Sequence, residues 1–242
     1  MKILILGHKG MLGHMVHKYL STKDCELITT DLRWPSQKFM DFVLDFDGDF
    51  VVNCIGAIHQ RTDEFKINTE LPIWLDKLDK SFKIIHPGTD CELDSDSYGN
   101  SKREAAEYII ENGKDTTIIQ TSIIGPELDS KDSLLEWFLN SEGKVFGYTE
   151  AYWNGNTTLQ WSKVCYKIMK NYYRYDTLNI PTSECNSKYK LLNLIKEVFE
   201  KDIEIDGNPD LLVNKCLHKS YDMPFLDIKS QLQELKEFYY DN

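Results

Sequence analysis

Lys2-Ile3-Leu4-Ile5-Leu6-Gly7-His8-Lys9-Gly10-Met11-Leu12-Gly13 is the stretch from which the rest of the chain is read. Lys2 to Leu6 is a compact apolar run, and glycines recur at 7, 10 and 13 before residues at helical spacing begin. That order describes a buried strand, a tight turn and a helix start. Such a turn aims the first amides of a helix at a diphosphate. Gly7, Gly10 and Gly13 then stand where a Cβ would block the turn, the ligand or helix-on-strand packing. Glycines occur in any strand-to-helix turn, so position matters: the motif follows the first strand directly, and the next apolar run, Glu26 to Thr30, ends at Asp31. An acidic side chain there can accept hydrogen bonds from the ribose of an adenine dinucleotide, although a polar residue leaving a strand is the plainer reading. Arg33 would suit a 2′-phosphate, which leaves NAD against NADP open with Asp31 tilting toward NAD.

Outward from the glycine turn, apolar runs at Phe50 to Ile55, Lys83 to His86 and Thr116 to Gln120 alternate with helical segments. The helices are predicted at Met11 to Ser21, Phe39 to Phe46, Asp63 to Asp79 (interrupted near its start by Pro72) and Ser97 to Asn112. This alternation predicts an α/β fold, a Rossmann-type doubly wound parallel sheet over residues 1–120. Residues 121–242 are expected to form a small, mainly substrate-binding α+β portion that can share elements with the sheet. Within it, Ser133 should cap a helix to about Leu139. Thr158 to Lys170, Ser187 to Phe199 and Asp227 to Tyr240 read as helices, and Thr177 to Ile180 and Ile203 to Ile205 as strands. Gly143 to Thr158 reads as irregular and aromatic. It is either a packed surface loop or a sugar platform, in which Trp153 offers a ring face and Asn156 an amide.

Acidic residues outnumber basic ones by 39 to 28, a net charge of −11, which argues against nucleic acid or an anionic membrane as the main partner. No stretch approaches the ~20 apolar residues of a membrane span, and the first residues run straight into a strand, so a cytoplasmic protein is expected. The six cysteines, Cys25, Cys54, Cys91, Cys165, Cys185 and Cys216, are scattered without a Cys-x-x-Cys pair or neighbouring histidines. They read as reduced thiols, and no metal site is expected.

The chemistry is carried by Ser97-Tyr98-Gly99-Asn100-Ser101-Lys102, at the start of a helix. Tyr98 and Lys102, at i and i+4, share a helix face one turn apart. An ammonium beside a phenol favours the phenolate, so the pair is expected to exchange a proton near neutral pH. With the Thr89 hydroxyl after the fourth strand they compose a reaction centre: a hydroxyl to orient, a phenol to protonate, an amine to tune.

These stretches resemble the extended short-chain dehydrogenase/reductase superfamily, and within it the dTDP-4-dehydrorhamnose reductase type. The resemblance runs through residues 2–13, Val51 to Gly56, Gly88 to Cys91, Tyr98 to Glu104, Thr121 to Leu128, Leu135 to Leu139 and Trp153 to Gln160. It implies NAD(P)H on Gly7, Gly10, Met11, Leu12 and Asp31, lined by Cys54, Ile55, Gly56 and Asn68. It also implies Thr89, Tyr98 and Lys102 as catalytic residues, with Trp153 and Asn156 toward a sugar-nucleotide substrate. Hydride would go to the C4 keto carbon of a 6-deoxy-4-keto hexose, Tyr98 would protonate its oxygen, and Lys102 would hold the nicotinamide ribose. A homodimer is left open. In two respects the chain departs from the family. The connection from Thr89 to Tyr98 is short, which should open the pocket and displace Thr89. Gly88 and Gln120 stand where relatives often have Ser and Arg. A non-catalytic nucleotide-binding or regulatory homologue is the alternative from another class, and an epimerase or a dehydratase is the alternative on the same scaffold.

Overall fold

The computed structural model describes residues 1–171, 176–220, 223 and 226–241. In chain order the elements are β1 (Lys2–Leu6), α1 (Met11–Leu20), β2 (Glu26–Thr29), α2 (Gln37–Leu44), β3 (Phe50–Asn53), α3 (Lys66–Asp76), β4 (Lys83–Gly88), α4 (Ser97–Asn112), β5 (Thr116–Gln120), β6 (Ile123–Ile124), α5 (Leu134–Asn140), β7 (Lys144–Tyr148), β8 (Ala151–Trp153), β9 (Asn156–Thr157), α6 (Thr158–Met169), β10 (Leu178–Asn179), β11 (Asn186–Ser187), α7 (Lys188–Val198), β12 (Glu204–Asn208), β13 (Val213–Asn214) and α8 (Ile228–Tyr239).

Six strands form one parallel sheet in the order β2-β1-β3-β4-β5-β10. This is the doubly wound arrangement, with its switch point between β1 and β3. Successive side chains of a strand point to opposite faces, and β1 shows the consequence. Ile3 and Ile5 pack with Leu12 and Val16 of α1 and Trp161 and Val164 of α6, whereas Leu4 and Leu6 pack with Phe39 and Val43 of α2 and Leu71 and Leu75 of α3. Each such side chain, fully withdrawn from water, contributes roughly 1.5–3 kcal/mol. Burial on both faces is why β1 and β3 read as nearly unbroken apolar runs.

The C-terminal half is tied into this sheet. β10 extends it beyond β5, α6 covers α1, and Met15 of α1 joins a second core built from α5, α7 and α8 with Val145 and Trp153. The helices expected at 158–170, 187–199 and 227–240 form close to those bounds, capped by Thr157, Ser187 and Asp227. Helix α3 starts later than expected and runs through Pro72.

Two expectations are corrected. The irregular stretch from Gly143 holds three short strands: β7 pairs with β12, β8 lies between β11 and β13, and β9 pairs with β6. In addition, Cys185 and Cys216 are joined by a disulfide, with Cα atoms 5.8 Å apart, so only Cys25, Cys54, Cys91 and Cys165 are free thiols. Cys185 directly precedes β11 and Cys216 follows β13, and those strands flank β8, which brings together two residues far apart in sequence. Among the described residues no helix is long and apolar enough to cross a membrane, and no group of His, Cys, Asp or Glu side chains could hold a metal ion.

Candidate active site

At the carboxyl ends of the strands a cleft of about 470 Å³ opens between the sheet and the C-terminal lobe. Gly10, Met11 and Leu12 border it on one side, Cys54, Ile55 and Gly56 form its floor, and Thr89, Tyr98 and Lys102 lie on the far side. Such a crevice beside a switch point is where doubly wound sheets bind ligands.

The glycine turn is sterically required. Gly7 adopts φ +77°, and a Cβ on it would sit 2.9 Å from the backbone of Cys54. A Cβ on Gly13 would fall 2.1 Å from the Gly7 carbonyl oxygen. Gly7 and Gly13 therefore shape the turn, whereas Gly10 borders the cleft, where a side chain would project toward a ligand. Asp31 lies at the rim outside the cleft. It is mostly exposed, with the Lys9 ammonium at 2.7 Å and His8 Nε2 at 3.8 Å. The Lys9 hydrogen bond holds its carboxyl below the usual range.

Asn68 is buried behind the floor and does not line the cleft. Its Oδ1 accepts from the Ala57 N–H at 2.8 Å, and its Nδ2 donates to the Ala57 carbonyl at 3.0 Å and to Ser101 Oγ at 3.2 Å. It clamps the segment after β3 against α4. Trp153 and Asn156 stand apart from the cleft, which corrects their expected place in it. Trp153 is 6% exposed in the second core. Asn156 is 2% exposed, its Nδ2 donating to Thr121 Oγ1 and the Pro181 carbonyl and its Oδ1 accepting from Gln231. Both stabilise the lobe.

Asp96 caps α4 by accepting the Gly99 N–H at 2.6 Å, and the helix then carries Tyr98 and Lys102 toward the cleft. Tyr98 is half-buried between His59 and Phe65, with ring centroids at 5.2 and 5.6 Å. Lys102 is 7% exposed and makes no hydrogen bond or ion pair among the described residues. Burial lowers its pKa, against the pull of Glu92, Cys54 and Cys91. The expected depression of the phenol is not found. Burial pushes Tyr98 well above the ordinary phenol range, and the charges of Cys91, Asp90, Glu92 and Asp96 add to this. The amine one turn away is outweighed by desolvation and by those negative neighbours, so Tyr98 holds its proton.

Thr89 borders the cleft. Its Oγ1 accepts from the Cys91 N–H at 3.3 Å and donates to Asp90 Oδ1 at 3.1 Å. Two cleft residues, Lys215 and Arg61, carried no motif in the sequence, and Glu92, which lies behind the cleft, did. Lys215, directly after β13, reaches Asp94 at 2.6 Å and Cys91 Sγ at 3.6 Å. Arg61 donates to Ser130 Oγ at 2.7 Å, beside Glu127. Glu92 is bonded to Thr89, and the Thr-x-x-Glu spacing at 89–92 was its signal, since Thr89 and Glu92 form a capping box. For Lys215 and Arg61 no local signal exists.

No protein-family model matches the chain, and a search of curated proteins finds no match. Solved structures do match over essentially the whole length. A dTDP-4-dehydrorhamnose reductase from Yersinia enterocolitica superposes with TM-score 0.76 at 16% identity, covering 98% of this chain and 99% of that one. The orthologue from Clostridium acetobutylicum gives 0.72 at 18%, covering 99% and 100%. The fold is that of these reductases. A UDP-glucose 4-epimerase from Thermotoga maritima shares it, with TM-score 0.77 at 14% identity over 100% of this chain and 99% of that one. The scaffold is thus common to enzymes of reduction and of epimerisation.

Proposed function

We propose that the chain is an NAD(P)H-dependent reductase of a 4-keto-6-deoxy sugar nucleotide, acting in deoxysugar or surface polysaccharide synthesis. The observation that carries this reading is Lys102: a buried amine with no hydrogen-bond or ion-pair partner among the described residues, one helical turn from a protonated phenol, in a cleft that begins at a glycine turn. Burying a charge unpaired is costly, so the arrangement calls for a ligand with oxygens to offer. Gly56 fits the same ligand. A Cβ there would lie 3.4 Å from Lys102 Nζ, so the missing side chain leaves the amine open toward the cleft. Two neighbours of the same fold are described as complexes with NADP and with NADPH.

A bound nicotinamide supplies the hydride. The protein supplies the rest: amides at the start of α1 for the diphosphate, Lys102 for the ribose hydroxyls, and Tyr98 as the acid for the C4 oxygen. Thr89 turns its hydroxyl from Asp90 to that oxygen. The phenol holds the proton that reduction of the C4 carbonyl consumes, whereas oxidising a hydroxyl at the start of epimerisation needs that proton absent. Tyr98→Phe tests the assignment. With NADPH or NADH and a 4-keto-6-deoxy sugar nucleotide, turnover should fall by roughly 10²–10⁴-fold while cofactor affinity stays close to that of the unsubstituted protein. Unchanged turnover would remove Tyr98 from the reaction.

A further inference from the structure

Behind Thr89 lies a buried carboxylate, 7% exposed, that the reaction as described does not use. Glu92 Oε1 accepts the Thr89 N–H at 2.8 Å, and Oε2 accepts the Gln120 amide at 2.5 Å; the same amide reaches the Thr89 carbonyl at 3.4 Å. A Cβ on Gly88 would lie 2.9 Å from Glu92 Oε1 and 3.0 Å from the Gln120 Cβ. The Glu92 carbonyl is itself held by Arg103 Nη1 at 3.0 Å. Gly88 and Gln120, the two substituted positions noted against the family the chain resembles, therefore both adjoin one side chain.

We propose that Glu92 is the positioning residue for Thr89: its carboxylate clasps the Thr89 backbone at the edge of the cleft, Gly88 makes room for it and Gln120 holds it. The proposal rests on the reductase reading only for its effect on turnover. The groups facing Glu92 are Lys102 and Tyr98 from α4, Asp90 and Cys91 from its own turn, and the neutral Gln120 from β5. Burial pushes the carboxyl up to about 7, against the Thr89 amide, Lys102 and Gln120, which favour the charged form, while Asp90 adds to the rise. Near neutral pH the clasp is therefore shared between two protonation states. A proton on Oε2 opposes the Gln120 N–H and loosens the clasp from that side.

The experiment uses the whole protein labelled with 15N-threonine, with the Thr89 signal assigned through Thr89→Ser. Across pH 5 to 9 the Thr89 amide should shift with a midpoint of about 7, as its acceptor loses a proton, and this titration should vanish in Glu92→Gln. In Glu92→Gln the new amide either sets N–H against N–H or turns the Gln120 amide away from the Thr89 carbonyl, so kcat should fall roughly tenfold or more with KM for the dinucleotide unchanged. The double variant Glu92→Gln with Gln120→Glu restores one donor to each acceptor. It should recover kcat to within about threefold. Should the single variant not fold, the double variant decides by the same readouts. A Thr89 amide that does not titrate, or a Glu92→Gln protein with unaltered kcat, overturns the proposal. A titrating amide in a protein inert toward every keto-sugar nucleotide would instead refute the reductase reading and support the Glu92–Thr89 linkage.

Discussion

Removing the Cys185–Cys216 disulfide gives a prediction whose size follows from topology. The two cysteines are 31 residues apart, and the loop they close contains α7 and β12. The chain-entropy relation for a loop of that length gives about 4 kcal/mol at 25 °C, near the upper end of what disulfides usually contribute. In a chain of this size each kcal/mol moves the midpoint by roughly 2–4 °C, so the loss should lower Tm by roughly 10 °C. The assay is thermal unfolding by circular dichroism on oxidised protein, on reduced protein, and on Cys185→Ala with Cys216→Ala. Thiol titration in denaturant accompanies it and should find four free thiols before reduction and six after. Lys215 adds a functional readout, since it adjoins Cys216 and reaches Asp94 across the cleft. Its segment is also held by Asn154, through both directions of its amide to Leu217, and by Lys215 N–H to the Tyr152 carbonyl. Turnover should therefore weaken only modestly when the bond is cut. Six free thiols before reduction, or oxidised and reduced proteins melting within about 2 °C of each other, would refute the reasoning.

Gly13→Ala should fold poorly or lose dinucleotide affinity by roughly tenfold or more, because its Cβ would meet the Gly7 carbonyl at 2.1 Å, a backbone atom with nowhere to go; titration calorimetry measures this. Lys9→Ala removes the cation beside Asp31 and frees that carboxylate for ribose hydroxyls, so the ratio of kcat/KM for NADPH over NADH should fall. Glu92 also links stability to pH. Its folded pKa of about 7 lies above the 4.5 of an ordinary glutamate, so the folded state binds the extra proton and stability is lost as pH rises from about 4.5 through 7. Relative to the native chain, Glu92→Gln should gain up to about 3 kcal/mol between pH 4.5 and pH 8 in urea titrations, and a pH-independent difference would contradict the burial argument.

The sheet and its glycine turn were legible because both are written locally. Strands buried on two faces give unbroken apolar runs, and Gly7 and Gly13 are positions where any Cβ collides with backbone. The lobe was less legible for the opposite reason. In β7 the inward residues are Val145 and Gly147 while Phe146 and Tyr148 point outward, so the aromatic character that suggested a sugar platform belongs partly to an exposed strand face. Its partner β12 lies some sixty residues downstream, and no window of sequence contains both. Trp153 and Asn156 misled in the same way: an indole and an amide suit a sugar, but here they close a core that the chain assembles from α5, α7 and α8. The Tyr98–Lys102 spacing gave the helix face correctly and the charge balance wrongly, because Asp90, Glu92 and Asp96 reach the phenol through a fold that spacing does not encode.

The short connection between Thr89 and Tyr98 bears most on whether the site can do chemistry, since a trimmed loop was the motive for a binding-only reading. Its shortness is offset by ties from three directions. Within the segment, Thr89 and Glu92 cap each other and Asp96 caps α4. From α4, Arg103 Nη1 donates to the carbonyls of Glu92 and Asp94, each at 3.0 Å. From the C-terminal lobe, Lys215 pairs with Asp94. Gly99 permits the close return, for a Cβ there would lie 2.3 Å from the Cys91 carbonyl oxygen. A pocket kept only to hold a dinucleotide needs the glycine turn and Lys102, and gains nothing from fixing a hydroxyl beyond them. A fixed Thr89 hydroxyl and a protonated phenol on the same side of the cleft are the groups that orientation of a carbonyl and its protonation require, and this favours turnover over binding alone.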